Sequence, residues 1–177
     1  PAAPAAPVVT PVGTGLTVVA GVQPVASLFP VNSTRVPFTV LQFTASSDGD
    51  VTVDTVTVER TGLAQDAAFA GILLLDDKGT QVGISKTLNS VHQVVLTEDF
   101  VVKAGQTKTM VIGGNAQTSG GGYGGQIAYL SVVKVAANSA VGGSFPITGA
   151  GHTVNETLTI GTIPGPARGA LDPGSSQ

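Results

Sequence analysis

The sequence contains no cysteine and no tryptophan, and it is poor in charge. The absence of cysteine excludes a disulfide framework and thiol chemistry. Only 11% of the 177 residues are charged, against about 25% in an average soluble domain. The 8 basic residues are scattered along the chain and the net charge is −3. Nothing here predicts a nucleic-acid-binding surface.

Long hydrophobic runs are also missing. The longest purely aliphatic run is Ile72–Leu75, whereas a membrane-spanning helix needs roughly 18–20 apolar residues. We therefore predict no membrane span. A surface so low in charge leaves two interpretations open. Either other protein covers much of it, or it belongs to a monomer whose surface is rich in Thr, Ser, Gln, Asn and Gly.

Valine and threonine dominate the sequence, and glycine interrupts it at short intervals. Both β-branched residues favour strands, and no stretch has a helical period. We predict an all-β fold, a single two-sheet β-sandwich of the immunoglobulin-like or jelly-roll type with extended N- and C-terminal tails. The predicted strands number nine or ten: Leu16–Val22, Val36–Ser46, Val51–Glu59, Ile72–Asp76, Gln81–Ser85, His92–Thr97, Phe100–Lys103, Gln106–Ile112, Gln126–Ala136 and Thr153–Ile160.

Several details follow from this pattern. The apolar face switches once within Val36–Ser46 and once within Val51–Glu59, which predicts a β-bulge or a change of sheet in each. The nearly continuous apolar run Gln126–Ala136 predicts a central strand covered on both faces. Thr61–Ala70 is the one candidate helical turn, a crossover in which Leu63 and Phe69 close one end of the core.

The two ends of the chain differ from the middle. We divide it into an extended Pro/Ala-rich arm at 1–15, a sandwich at 16–160 and a Pro/Gly-rich tail at 161–177. The prolines favour an extended, polyproline-like path. The sequence begins with Pro1 and not with Met. We expect either a removed export signal or propeptide, or a start inside a longer chain.

No motif nominates a catalytic, cofactor or metal site. Gly120–Gly125 formally fits G-x-G-x-x-G, but a strand and not a helix is predicted after it. His92 and His152 have no metal-ligand neighbours at close spacing and are interpreted as surface or strand-end residues. The acidic pair in Asp48-Gly49-Asp50 predicts a turn, although a calcium ion between loops stays open. We predict no enzyme activity and no cofactor.

Three further features could matter at the surface. Asn32 and Asn155 begin N-x-[ST] triplets and are candidate glycosylation sites. Tyr123 stands at the tip of a flexible loop, 115–125, that is either a partner contact or a plain surface loop. Lys134 could form an isopeptide cross-link if it were buried, and we prefer the alternative that it faces solvent.

Two segments resemble a known family: DVTVDTVTVERTGLAQDAAFAGILLLDDKGTQVG (50–83) and FVVKAGQTKTMVIGGNA (100–116). They resemble a β-sandwich repeat of large secreted, S-layer-like or filament surface proteins of candidate-phyla (Patescibacteria-type) bacteria. Its pattern is V-x-V-x-x-V-x-V-x-R-T-G-L, an acidic crossover, L-x-D-x-x-G-x-x-V-G and V-x-A-G-x-T-K-T. The resemblance covers roughly 36–136 and implies a cell-surface location with a structural or adhesive role.

The leading functional hypothesis is an extracellular structural subunit that self-assembles into a filament, tube or surface lattice. Strand exchange with neighbouring copies would build this homopolymer, as in donor-strand complementation. The predicted anchors of the arm are Val8, Val9, Val12, Leu16, Val18 and Val19. Whether the arm docks in its own subunit or in a neighbour stays open. The alternative hypothesis is a carbohydrate-binding or adhesin module that contacts surface glycans, with Tyr123 as a candidate contact.

Overall fold

The computed structural model of the chain describes residues 12–158, which form two β-sheets packed face to face. Along the chain the strands are β1 (Gly15–Ala20), β2 (Leu28–Pro30), β3 (Val36–Ala45), β4 (Val51–Gly62), β5 (Phe69–Asp76), β6 (Gln81–Lys86), β7 (Gln93–Leu96), β8 (Phe100–Val102), β9 (Thr107–Ala116), β10 (Ile127–Ala137), β11 (Ala140–Gly142), β12 (Ile147–Thr148) and β13 (His152–Asn155). The predicted all-β, two-sheet fold is confirmed. Residues 1–11 of the predicted arm and all of the predicted tail at 161–177 lie outside the described residues.

The first sheet has the strand order β11-β1-β3-β9-β5-β6, and the second has the order β2-β13-β10-β4-β7. In the second sheet, β12 also pairs with β10, and β8 pairs with β4. Both sheets are mixed, because β1 runs parallel to β11 and β2 runs parallel to β13. The sequence does not predict β2, β11 and β12, which are too short to show an alternating pattern.

Both predicted interruptions of the strand pattern are bulges. In β3 the pairing with β9 shifts between Pro37 and Thr39. In β4 the pairing with β10 skips Asp54, so that Val53 and Val56 both face the core although they lie three residues apart. A bulge adds one unpaired residue and restores the apolar face to the interior, which explains why neither strand keeps one phase throughout.

Aromatic rings fill both ends of the interior. Phe29, Phe38 and Phe69 form one group, in which the Phe29 and Phe38 centroids lie 5.3 Å apart in an edge-to-face arrangement. At the other end Phe43 and Phe100 lie edge to face at 5.1 Å. These geometries are favoured by the ring quadrupoles. The core is therefore aromatic at its ends and aliphatic between them.

A buried threonine joins the two sheets. Thr39 lies in β3 of the first sheet, and its hydroxyl donates to the carbonyl oxygen of Leu130 in β10 of the second. The Thr39 hydroxyl oxygen in turn accepts the Gly149 N–H at 3.1 Å. Thr39 is fully buried, so both bonds are shielded from water and help to hold the sheets in register.

Two predictions about buried segments are wrong. Leu63 does not close the core: its side chain is 84% exposed, whereas Phe69 is buried as predicted. Gly62 has φ +90°, and this turn directs the chain outward at the end of β4. The crossover holds one short 3-10 turn, Asp66–Ala68.

The second wrong prediction concerns β10. This strand is central but not covered on both faces, because Ile127 and Lys134 are exposed.

β5 and β6 form a hairpin, as the turn residues Asp77-Lys78-Gly79 between the two predicted strands indicate. Gly79 adopts φ +78°, the left-handed conformation that favours glycine. The Asp76 carboxylate accepts the backbone N–H groups of Lys78 at 2.9 Å and Thr80 at 2.7 Å. These bonds hold the pKa of Asp76 below its usual range, with the Thr80 N–H as the largest cause. The acidic residue is therefore part of a turn and not of a site.

Candidate functional site: the first strand and its linker

β1 lies inside the first sheet of its own chain. It pairs antiparallel with β3, from Leu16 opposite Ala45 to Ala20 opposite Leu41, and its other side meets the three-residue β11. Leu16 is 2% exposed and Val18 is 0% exposed. Their side chains therefore form part of the core that both sheets share.

The six predicted anchors of the arm separate into three groups. Leu16 and Val18 insert into a core, and that core belongs to the same chain. Val12 and Val19 are exposed at the surface. Val8 and Val9 lie outside the described residues. The structure thus shows docking of β1 within its own subunit, one of the two possibilities that the sequence left open.

A linker, residues 21–27, carries the chain from β1 in the first sheet to β2 in the second. Gln23 fastens its first half, because the Val40 N–H donates to Gln23 Oε1 at 2.9 Å and Gln23 Nε2 donates to the Val40 carbonyl at 2.7 Å. The Gly21 N–H donates to the same carbonyl at 2.9 Å. The amide of Gln23 thus takes the place of a strand residue where the pairing between β1 and β3 ends.

Ser27 fastens the other end of the linker to His152. The Ser27 N–H donates to His152 Nδ1 at 3.0 Å, and the Ser27 hydroxyl lies 3.0 Å from the same nitrogen. Nδ1 must therefore accept, so the ring is neutral and its Nε2–H donates to the Pro37 carbonyl at 2.8 Å. Of the two interpretations of His152, the strand-end one holds, since His152 begins β13, and the surface one does not, because the ring is buried against Phe38.

The contact between Ser27 and His152 is not a nucleophile–base pair. A catalytic imidazole must have its lone pair free to take the hydroxyl proton. Here the backbone N–H of Ser27 already donates to Nδ1. We interpret this contact as a polar clamp between the linker and β13.

The apolar side chains of the linker point outward. Val22 is 89% exposed and Val25 is 86% exposed, which makes them the two most exposed large hydrophobic residues of the described chain. Pro24 lies between them. Polar groups are thus paired in the linker while its apolar groups meet water, the reverse of the usual arrangement.

The opposite edge of the first sheet is covered by side chains. Gln81 Nε2 donates to the Gly83 carbonyl of β6 at 3.0 Å, and the Ile84 N–H lies 3.4 Å from a Glu98 carboxylate oxygen. Lys86 reaches across to the Val95 carbonyl of β7. Such contacts protect an edge strand from pairing with another chain. β6 is therefore a poor place for strand addition.

The glycine-rich loop is organised around a carboxylate. Glu156 accepts the backbone N–H groups of Gly121 at 2.8 Å, Tyr123 at 2.9 Å and Gly122 at 3.3 Å. These bonds, led by that from Tyr123, hold the pKa of Glu156 below its usual range. The Tyr123 ring is half-buried against the core. Whether this loop contacts a partner or is a plain surface loop stays a prediction.

A second polar cluster lies where the crossover meets the turn before β7. Asp66 binds Arg60 Nε with one oxygen and His92 Nδ1 at 2.6 Å with the other. Burial raises the pKa of Asp66, but these two partners together hold it below its usual range. His92 is exposed, as predicted, and lines an open depression of about 520 Å³ with residues 62–67. No serine, threonine or lysine lines this depression.

The two candidate glycosylation sites differ in their surroundings. Asn32 is exposed in a turn with φ +64°. The side-chain oxygen of Asn155 instead accepts the N–H groups of Thr157 at 3.1 Å and Leu158 at 2.7 Å. The amide of Asn155 thus holds a local turn. Whether either residue carries a sugar stays a prediction.

The acidic turn before β4 is occupied by protein contacts. Asp50 accepts Lys103 Nζ at 2.8 Å and the Ala104 N–H at 2.9 Å, and both bonds lower its pKa, Lys103 most. A bond from the Ser46 hydroxyl, and others from Thr14, lower the pKa of Asp48 to about 2. Over residues 12–158, no group of three or more His, Asp or Glu side chains lies close enough to hold a metal ion.

No protein-family model matches this sequence, and no curated protein sequence matches it. The resemblance to secreted surface repeats therefore stays a prediction from the quoted segments. Within the part of the chain that the structure describes, no helix has the length and apolar character to cross a membrane.

Proposed function

We propose that the chain is an extracellular structural subunit that assembles with copies of itself by exchange of β1. In this proposal β1 of one copy leaves its place between β3 and β11 and fills the same place in a neighbour. The proposal assigns the chain no catalytic role. Its location at a cell surface rests on the resemblance of 36–136 to secreted surface repeats.

One observation carries the proposal: β1 places two side chains in the core and is followed by a linker outside both sheets. It is the first strand of the described residues, it carries the buried Leu16 and Val18, and it is followed by a linker without strand pairing of its own. An identical copy offers the same groove, so exchange creates no new side-chain packing problem and is a low-cost route to association. Contacts passed from copy to copy without closing produce a filament.

The covered edge at β6 supports the same proposal. Glu98, Gln81 and Lys86 protect that edge from an added strand. The β1 groove is therefore the better place for main-chain pairing between copies. The glycan-binding alternative has less support, because the half-buried Tyr123 offers no exposed aromatic platform.

Because the sequence has no cysteine of its own, introduced cysteines can test whether β1 is exchanged. Val19 of β1 lies directly opposite Gln42 of β3 and both side chains point away from the core. Directly opposite residues on antiparallel strands are close enough for a disulfide. We would mix a Val19→Cys variant with a Gln42→Cys variant at high concentration under a mild oxidant and measure the mixed disulfide.

Strand exchange predicts a disulfide-linked heterodimer of the two variants. The matched control pairs Gln42→Cys with Val95→Cys, since Val95 is 43% exposed, close to the 45% of Val19, and lies in β7. The control measures random collision. A Val19–Gln42 yield no higher than this control would show that β1 stays in its own chain, and the proposal would be wrong.

A further inference from the structure

We infer that Val22 and Val25 of the linker form a contact surface for a second copy of this chain, buried when β1 is exchanged. This inference rests on the proposed function and adds the residues of the interface between copies. Val22 and Val25 are 89% and 86% exposed in the closed subunit. Neither valine contributes to the core in this state.

Polar contacts hold the closed linker near both of its ends. The Gln23 amide binds both the carbonyl and the N–H of Val40. The Ser27 N–H donates to His152 Nδ1 at 3.0 Å. Water can replace each of these bonds at small net cost, since such a bond contributes only about 0.5–1.5 kcal/mol. Release of the linker leaves Val22 and Val25 as they are, since both are already exposed.

The exchanged linker would run between two subunits. Its 7 residues can span about 23 Å when extended, and Pro24 favours an extended path. A linker that leaves one sandwich and enters another must cross the junction between them. Val22 and Val25 would then lie between two charge-poor surfaces, where burial of apolar side chains drives association.

The position of the exposed valines within the chain favours a second copy as the occupant. Leu63 and Val91 are also exposed, but they belong to the crossover and to the turn before β7. They are not continuous with β1. The linker valines follow directly on the strand that would move and are far more exposed than Val19 within it, so they meet another copy whenever β1 does.

The test uses the cysteine exchange assay. Val22→Ser and Val25→Ser together would be placed in both assay partners, Val19→Cys and Gln42→Cys. The matched control carries Leu63→Ser and Val91→Ser in the same two partners. Because all four side chains are exposed, both pairs should leave the melting temperature of the monomer unchanged.

Burial of one valine contributes roughly tenfold or more to an association constant. We expect the linker pair to raise the protein concentration for half-maximal cross-linking about tenfold or more, and the control pair to leave it unchanged. Equal values for both pairs would overturn this inference and leave strand exchange intact. Loss of cross-linking in the parent variants themselves would overturn the proposed function and this inference together.

Discussion

Replacement of Gln23 by alanine should loosen β1 without disturbing the rest of the sandwich. Its amide makes two hydrogen bonds to the backbone of Val40, at 2.9 and 2.7 Å. Each contributes a net of about 0.5–1.5 kcal/mol, so both together contribute about 1–3 kcal/mol. If this energy holds β1 closed, its loss raises the open population about 5- to 150-fold.

Amide hydrogen exchange measures this opening directly. In the Gln23→Ala variant, the amides of Gly15–Ala20 should exchange faster by that factor, while those of Thr107–Ala116 in β9 keep their protection. Gln81→Ala is the matched control, because Gln81 also donates its amide to a backbone carbonyl, but on β6. Unchanged protection of β1, or equal loss of protection in β1 and β9, would refute the view that β1 opens by itself.

Three further predictions concern stability and pH. Leu16→Ala should lower the free energy of unfolding in urea by about 2–5 kcal/mol, whereas Val19→Ala should change it by no more than about 0.5 kcal/mol; equal effects would contradict the burial of Leu16. Thr39→Val should cost about 1–3 kcal/mol by leaving the Leu130 carbonyl and the Gly149 N–H unpaired, and Thr39→Ser should recover most of it. Because folding lowers the pKa of Glu156, its stabilising contribution is present above the ordinary glutamate pKa and is lost as pH falls through the lower folded value. The amide resonances of Gly121 and Tyr123 should titrate together there, and Glu156→Gln should abolish that titration.

The features that the sequence predicts correctly are local ones. The alternation of valines in β4 predicts its strand, and the single change of phase predicts the bulge at Asp54. The Asp77-Lys78-Gly79 turn is encoded by three adjacent residues. Each of these patterns depends on neighbours in the chain, so no knowledge of the tertiary structure is needed to interpret them.

The features that the sequence does not predict depend on distant partners. His152 is buried because it meets Ser27, which lies 125 residues away in the chain. The glycine-rich loop is organised by Glu156, more than 30 residues later. β11 pairs with β1 in only three registered positions, far too few for a periodic signal. The prediction that Leu63 closes the core is wrong because Gly62, which precedes it, has a positive φ.

The linker illustrates the same limit for the candidate site. The sequence assigns residues 16–22 to one predicted strand. In the structure β1 ends at Ala20, and the amide of Gln23 pairs with Val40 in place of a further strand residue. The hydrophobic pattern does not indicate that a polar side chain such as Gln23 takes over backbone pairing, so the end of β1 is not predicted from it.

The most direct test of strand exchange compares assembly with β1 covalently tied to its own chain and with β1 free. A Val19→Cys/Gln42→Cys double variant, oxidised while dilute, would tie β1 to its own β3. Thr44→Cys/Thr107→Cys is the matched control, because this opposite pair joins β3 to β9 and leaves β1 free. Electron microscopy and light scattering at high concentration then compare the two oxidised proteins before and after reduction. Strand exchange predicts that the β1-locked protein stays monomeric until it is reduced, while the control assembles in both states. Equal assembly of both oxidised proteins would contradict it.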